Sequence, residues 1–107
     1  MVVSAPAVRE LSWGDLDRTA ASHGPSFFLA DVQHFEATLR RLRACFRERY
    51  PKTQVAYSYK TNYLPTFIRC AHALRAYSEV VSRFEYDFAR ALGIQPDRII
   101  GSVAAVE

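Results

Sequence analysis

The chain has 107 residues, half of them hydrophobic, and a formal net charge of +3, a globular composition at a length that allows one small domain. No apolar run nears the ~18 residues of a membrane span, and the N-terminus lacks the basic-then-apolar order of a signal peptide. A cytoplasmic protein without membrane contact is expected. The positive charge gathers on one expected helix (Arg40, Arg41, Arg43, Arg47, Arg49), mostly opposite its apolar stripe. Neither an aromatic platform nor a glycine-rich contact loop accompanies it, so a solvated face is expected rather than nucleic-acid binding.

In chain order, residues 1–10 carry no periodic pattern and read as a loose lead-in. Ser12-Trp13-Gly14-Asp15 has the spacing of a capping box, opening a short helix that Gly24-Pro25 ends. A short apolar strand is expected over 27–30. Asp31 then caps a long helix over 31–49 with Val32, Phe35, Leu39, Leu42 and Phe46 on one stripe. Tyr50-Pro51 stops it, and a strand over 54–59 follows. The next helix, over 63–75, opens at Asn62, tolerates Pro65 in its first turn and buries Leu64, Phe67, Ile68, Ala71 and Leu74. A strand over 78–82 precedes a helix over 83–92, with Ser82 and Glu85 at capping-box spacing, an inner stripe of Phe84, Phe88, Ala91 and Leu92, and Gly93 at its close. A last strand lies over 98–101. There is no sequence repeat, only a strand-helix rhythm, which implies right-handed βαβ units and a parallel sheet.

Cys45 and Cys70 stand far apart on expected helices and read as reduced, buried thiols. His23, His34 and His72 are equally scattered, so no metal site is expected. The residue that stands out is Lys60, at the end of Gln54-Val55-Ala56-Tyr57-Ser58-Tyr59-Lys60. The C-terminal end of a parallel strand is where α/β folds place their chemistry. A lysine stem lies along apolar walls while its amine enters a cleft, where loss of water favours the neutral form that attacks an aldehyde. A surface lysine at a strand end is the plainer alternative.

Three stretches taken together resemble the fold-type III pyridoxal-phosphate decarboxylases, the family of diaminopimelate and ornithine decarboxylases. Phe27-Phe28-Leu29-Ala30-Asp31 resembles the strand leading into that family's barrel. Ala56-Tyr57-Ser58-Tyr59-Lys60-Thr61-Asn62 is similar to its Schiff-base motif, and Glu79-Val80-Val81-Ser82 followed by Glu85 resembles its acidic-x-x-Ser strand and adjoining helix. The resemblance covers roughly residues 12 to 100. It implies a partial (β/α)8 TIM barrel of the alanine-racemase-like kind, comprising the first three or so β/α units. Residues 1–25 would be a lead-in with a short helix and 26–107 an incomplete barrel domain binding pyridoxal 5'-phosphate.

Carried over by position, the resemblance makes Lys60 the Schiff-base lysine and sets Glu79 facing it, where it would pair with the freed ammonium; an exposed charge at a strand start is the alternative. Glu85 matches a family glutamate near the cofactor, while its spacing from Ser82 offers a purely structural role. Asn62 matches a polar position that an N-cap also explains, and Tyr57 and Tyr59 read as core. The implied substrate is a small amino acid, and the complete enzyme would be a homodimer. The chain departs from the family where Gly101-Ser102-Val103 replaces an Asn-Gly-Pro-like turn. The glycine-rich phosphate loop, the acid for the pyridine nitrogen and the C-terminal domain are absent from the 107 residues. The expected activity is therefore that of an N-terminal portion of a carboxy-lyase, inactive alone. A truncated remnant or regulatory pseudoenzyme acting through protein contact is the alternative, and the reading frame downstream would separate the two.

Overall fold

A computed structural model describes residues 11–101; the lead-in expected over 1–10 and the stretch beyond Gly101 lie outside the described residues. Ser12 caps the first helix, α1 (Trp13–His23), with the reciprocal hydrogen bonds of a capping box to Asp15. Gly24, at φ +89°, leaves that helix in a conformation that a side chain would strain. Asp31 caps α2 (Val32–Arg49) by accepting from the His34 N–H at 2.8 Å. After it come β1 (Ala56–Ser58), α3 (Pro65–Ala73), β2 (Tyr77–Val80), α4 (Arg83–Ala91), a 3-10 turn over Pro96–Arg98 and β3 (Ile99–Gly101).

The strands form a parallel, open sheet in the order β1-β2-β3, with Ser58 opposite Glu79 and Glu79 opposite Ile100. The fold is thus α/β, with a small parallel sheet and four helices. One face of the sheet is covered. Val80 of β2 packs with Ile68 of α3, Ala89 of α4, Tyr59 and Ile94, so α3 and α4 lie on the same side. A second cluster joins Leu39 of α2 to Ala71, Leu74 and Ala76, with Phe35 and Tyr57 against it.

Where element ends differ from expectation, a hydrogen bond gives the reason. The strand expected over 78–82 stops at Val80 because the Val81 N–H donates to Glu85 Oε2 at 2.7 Å and leaves the ladder. The strand expected over 54–59 is assigned over Ala56–Ser58 alone. Its ladder continues through Tyr77 N–H to Val55 and Tyr59 N–H to Glu79, and the chain then turns as Thr61 N–H reaches the Ser58 carbonyl at 3.3 Å. The third helix begins at Pro65 rather than Asn62. Leu64, preceding a proline, is held extended, and the Asn62 side chain accepts from its N–H at 3.0 Å.

Two expectations fail. Residues 27–30 form no strand: nothing pairs with their backbone, and Phe28 is fully exposed at 101%. Strand propensity without a neighbouring ladder does not make a strand. The inner face of α4 is likewise not Phe84, Phe88, Ala91 and Leu92. Glu85 and Ala89 are its buried positions, Phe88 and Leu92 flank them, and Phe84 is 62% exposed. The bond from Val81 to Glu85 turns that helix so that the Glu85 side faces inward. On α2 only Leu39 is buried, and Leu42 and Phe46 stay half exposed.

Both α3 and α4 end in the same backbone motif. Ala76 N–H bonds to the Ala71 carbonyl and Arg75 N–H to that of His72; Ile94 N–H bonds to Ala89 and Gly93 N–H to Arg90. Gly93 takes the left-handed position after α4, and Arg75 takes it after α3 at φ +66°. Glycine spelled out the first ending. Nothing in the residue type spelled out the second. No helix among the described residues is long and apolar enough to cross a membrane.

Candidate functional site at the C-terminal end of the sheet

The strand alternation divides side chains between the two faces. Tyr57, Tyr59, Ser78, Val80 and Ile99 turn toward the helices, as their burial and packing require. Ala56, Ser58, Glu79 and Ile100 turn the other way, onto a face that no element among the described residues covers. The helix side is satisfied in detail. The Tyr59 hydroxyl, fully buried, donates to Ser78 Oγ at 3.0 Å, and the Tyr57 hydroxyl donates to the Asn62 carbonyl at 2.6 Å. Burial, and to a lesser degree the Glu85 carboxylate, push the Tyr59 phenol up, although its bond to Ser78 pulls the other way. Burial also raises Tyr57, with Tyr59 adding to it.

Lys60 lies in the turn that follows β1, one residue past the last ladder bond from Tyr59, with its side chain exposed. The bond from Tyr57 to Asn62 holds that turn against the strand. Lys60, Thr61, Asn62, Tyr63 and Leu64 line an open hollow of about 340 Å³. Tyr63 sets its ring edge against Phe84 and Phe88, each at 6.1 Å, and those two rings stack at 5.9 Å. An aromatic rim therefore stands beside the lysine turn.

The bare face is unlike the covered one. Ser58 Oγ is buried without a hydrogen-bond partner, a condition that costs about 1–3 kcal/mol. Directly across the ladder, the Glu79 carboxylate makes no ion pair or hydrogen bond among the described residues. Of the expected site residues, Lys60 and Glu79 belong to the same end of adjacent strands. Glu85 does not join them. It is buried on the helix side, accepts from Val81 N–H, and receives the Ser82 cap through its own N–H at 3.1 Å.

The residue that the sequence did not single out is Ser58. Its signal was present in the alternation that sets it opposite to Tyr57 and Tyr59, yet its missing partner depends on the register with β2. Among the described residues no group of three or more His, Cys, Asp or Glu is placed to hold a metal ion. No protein-family model matches the chain, and neither a curated protein nor a solved structure matches it.

Proposed function

We propose that this chain is the opening portion of a pyridoxal-phosphate-dependent amino-acid decarboxylase, resembling the diaminopimelate and ornithine decarboxylases, in which Lys60 carries the cofactor. The observation that supports this most is the position of Lys60: immediately past the end of a parallel strand, in a sheet whose strands follow one another in chain order. That winding is the one a β/α barrel repeats, and chemistry in such folds sits at the strand C-termini. A barrel made of these units would turn Ser58, Glu79 and Ile100 inward.

The residues present suit the reactive end of the cofactor and not its phosphate. Lys60 has an exposed amine to bind the aldehyde covalently, and Glu79 supplies an unpaired carboxylate on the neighbouring strand. The described glycines are Gly14, Gly24, Gly93 and Gly101, and none follows a strand to open a helix as a phosphate-binding turn does. The bound group supplies an electron sink for the bond to the departing carboxylate. The chain's own share is to hold the cofactor at Lys60, to accept the lysine ammonium at Glu79, and to wall the site with Tyr63, Phe84 and Phe88.

The test is made on the chain and on any longer product of its gene, by incubation with pyridoxal phosphate, borohydride reduction and mapping of the label. Lys52 and Lys60 are the chain's two lysines, so the map is unambiguous. The chain alone should label weakly at both. The longer product should label at Lys60 only, and Lys60→Ala should abolish its colour and turnover. Arginine should not rescue, because a guanidinium stays protonated. Decarboxylation that survives in Lys60→Ala sinks the proposal. A second reading, a non-catalytic module acting through protein contact, draws on the exposure of Trp13, Phe28 and Phe84 and on the open sheet. Under it the longer product takes no label at all.

A further inference from the structure

We propose that Ser58 and Glu79 together form a receptor for a primary ammonium group on the bare face of the sheet. The inference goes beyond the decarboxylase reading, because it needs neither a cofactor nor the Lys60 amine. It starts from an asymmetry. On the helix side every hydroxyl of the strands is accounted for, with Tyr59 bonded to Ser78 and Tyr57 to Asn62. On the bare side both polar groups of the registered row are empty. They are neighbours, since residues in register on adjacent strands sit roughly 4.8 Å apart and point the same way.

The chemistry of the pair narrows what it takes. A carboxylate only accepts, and a serine hydroxyl has two acceptor lone pairs and one proton to give. An anion would meet Glu79 as a like charge. A neutral carbonyl would satisfy Ser58 and leave Glu79 unpaired. An ammonium has three donors and no acceptor, so it can bond to the carboxylate and the hydroxyl at once, while the hydroxyl proton remains free for the second carboxylate oxygen. The surroundings favour an alkyl stem. Ile100 continues the row beyond Glu79, and Ala56 lies on the same face before Ser58. The ligand class is an alkylammonium compound, whether its amine belongs to a small molecule or to a lysine side chain.

Serine is what makes this more than a lone acid. Alanine at position 58 would leave one acceptor, and one exposed acid binds ammonium too weakly to hold it against water. Threonine keeps the hydroxyl and suits a strand.

The test is a two-dimensional ¹⁵N NMR titration of the 107-residue chain at neutral pH with n-butylammonium, and with butyrate as the control of opposite charge. Saturable shifts are expected for the amides of Ser58, Glu79 and Ile100 with the amine and not with butyrate. Glu79→Gln should weaken binding at least tenfold and Ser58→Ala about threefold to tenfold, while Ser58→Thr stays within twofold of the native chain. Each variant's amide spectrum verifies its fold. Lys60→Ala should leave the binding in place, which separates this site from any role of the lysine. The inference is overturned if butylammonium produces no saturable shift, if Glu79→Gln or Ser58→Ala binds as the native chain does, if butyrate binds equally, or if Lys60→Ala abolishes the effect.

Discussion

Truncating Ile68 tests the arrangement of the core most directly. Its side chain is 1% exposed and packs among Tyr59, Val80, Ala89 and Ile94, where α3, α4 and β2 meet. Ile68→Ala removes three carbons, worth about 2.4 kcal/mol at ~0.8 kcal/mol for each buried methylene. The cavity left behind adds to that, since backbone on three sides limits collapse, and alanine's better helix propensity returns a few tenths; the net cost is about 3 kcal/mol. Ile100→Ala is the matched control. It is the same chemical change on the bare face, at a residue 47% exposed, and should cost about 1 kcal/mol. Urea unfolding followed by far-ultraviolet circular dichroism reads both; Trp13, on α1 and largely exposed, is a poor reporter of the core. With a slope of about 1 to 1.5 kcal/mol/M for a domain of this size, the Ile68→Ala midpoint should fall by about 2–3 M and that of Ile100→Ala by less than about 1 M. If the two midpoints fall equally, or Ile100→Ala falls further, the covered and bare faces have been assigned wrongly.

Other outcomes follow from single contacts. Tyr59→Phe should cost about 1 kcal/mol by the same assay, and adding Ser78→Ala should cost little more, because both remove one hydrogen bond. Since the folded state raises the phenols of Tyr59 and Tyr57, it favours their neutral forms; that stabilisation is complete below the ordinary tyrosine value near ~10 and is lost as pH rises through the folded values. Urea midpoints should therefore drop steeply above about pH 10, and less steeply in Tyr59→Phe. Glu85→Ala leaves Val81 N–H without its acceptor and should cost about 2 kcal/mol, while Glu85→Gln keeps an acceptor and should lose less than half of that. Ser82→Ala should remove about 1 kcal/mol of helix capping, measured the same way.

Local signals in the sequence determined the elements with caps and breakers of their own. Ser12, Asp31 and Ser82 are short polar side chains before apolar periodicity, and each caps its helix through a bond closed within three residues. Gly24 and Gly93 end helices because their φ values exclude a side chain. The strand-helix rhythm also carried the parallel pairing, because a chain that crosses over through a helix returns in the same direction. Lys60 was legible for the same reason, standing where an apolar run breaks. The tertiary structure alone decided what depends on partners distant in sequence. Residues 27–30 have the composition of a strand and no ladder to join. Arg75 adopts the left-handed turn that glycine usually takes, held there by bonds from Arg75 and Ala76 back to α3. Glu85 is drawn inward by the Val81 N–H and carries the face of α4 with it. The pairing of Ser58 with Glu79 is likewise a property of register: alternation assigns each to a face of its own strand, and only the hydrogen-bonded ladder brings the two side by side.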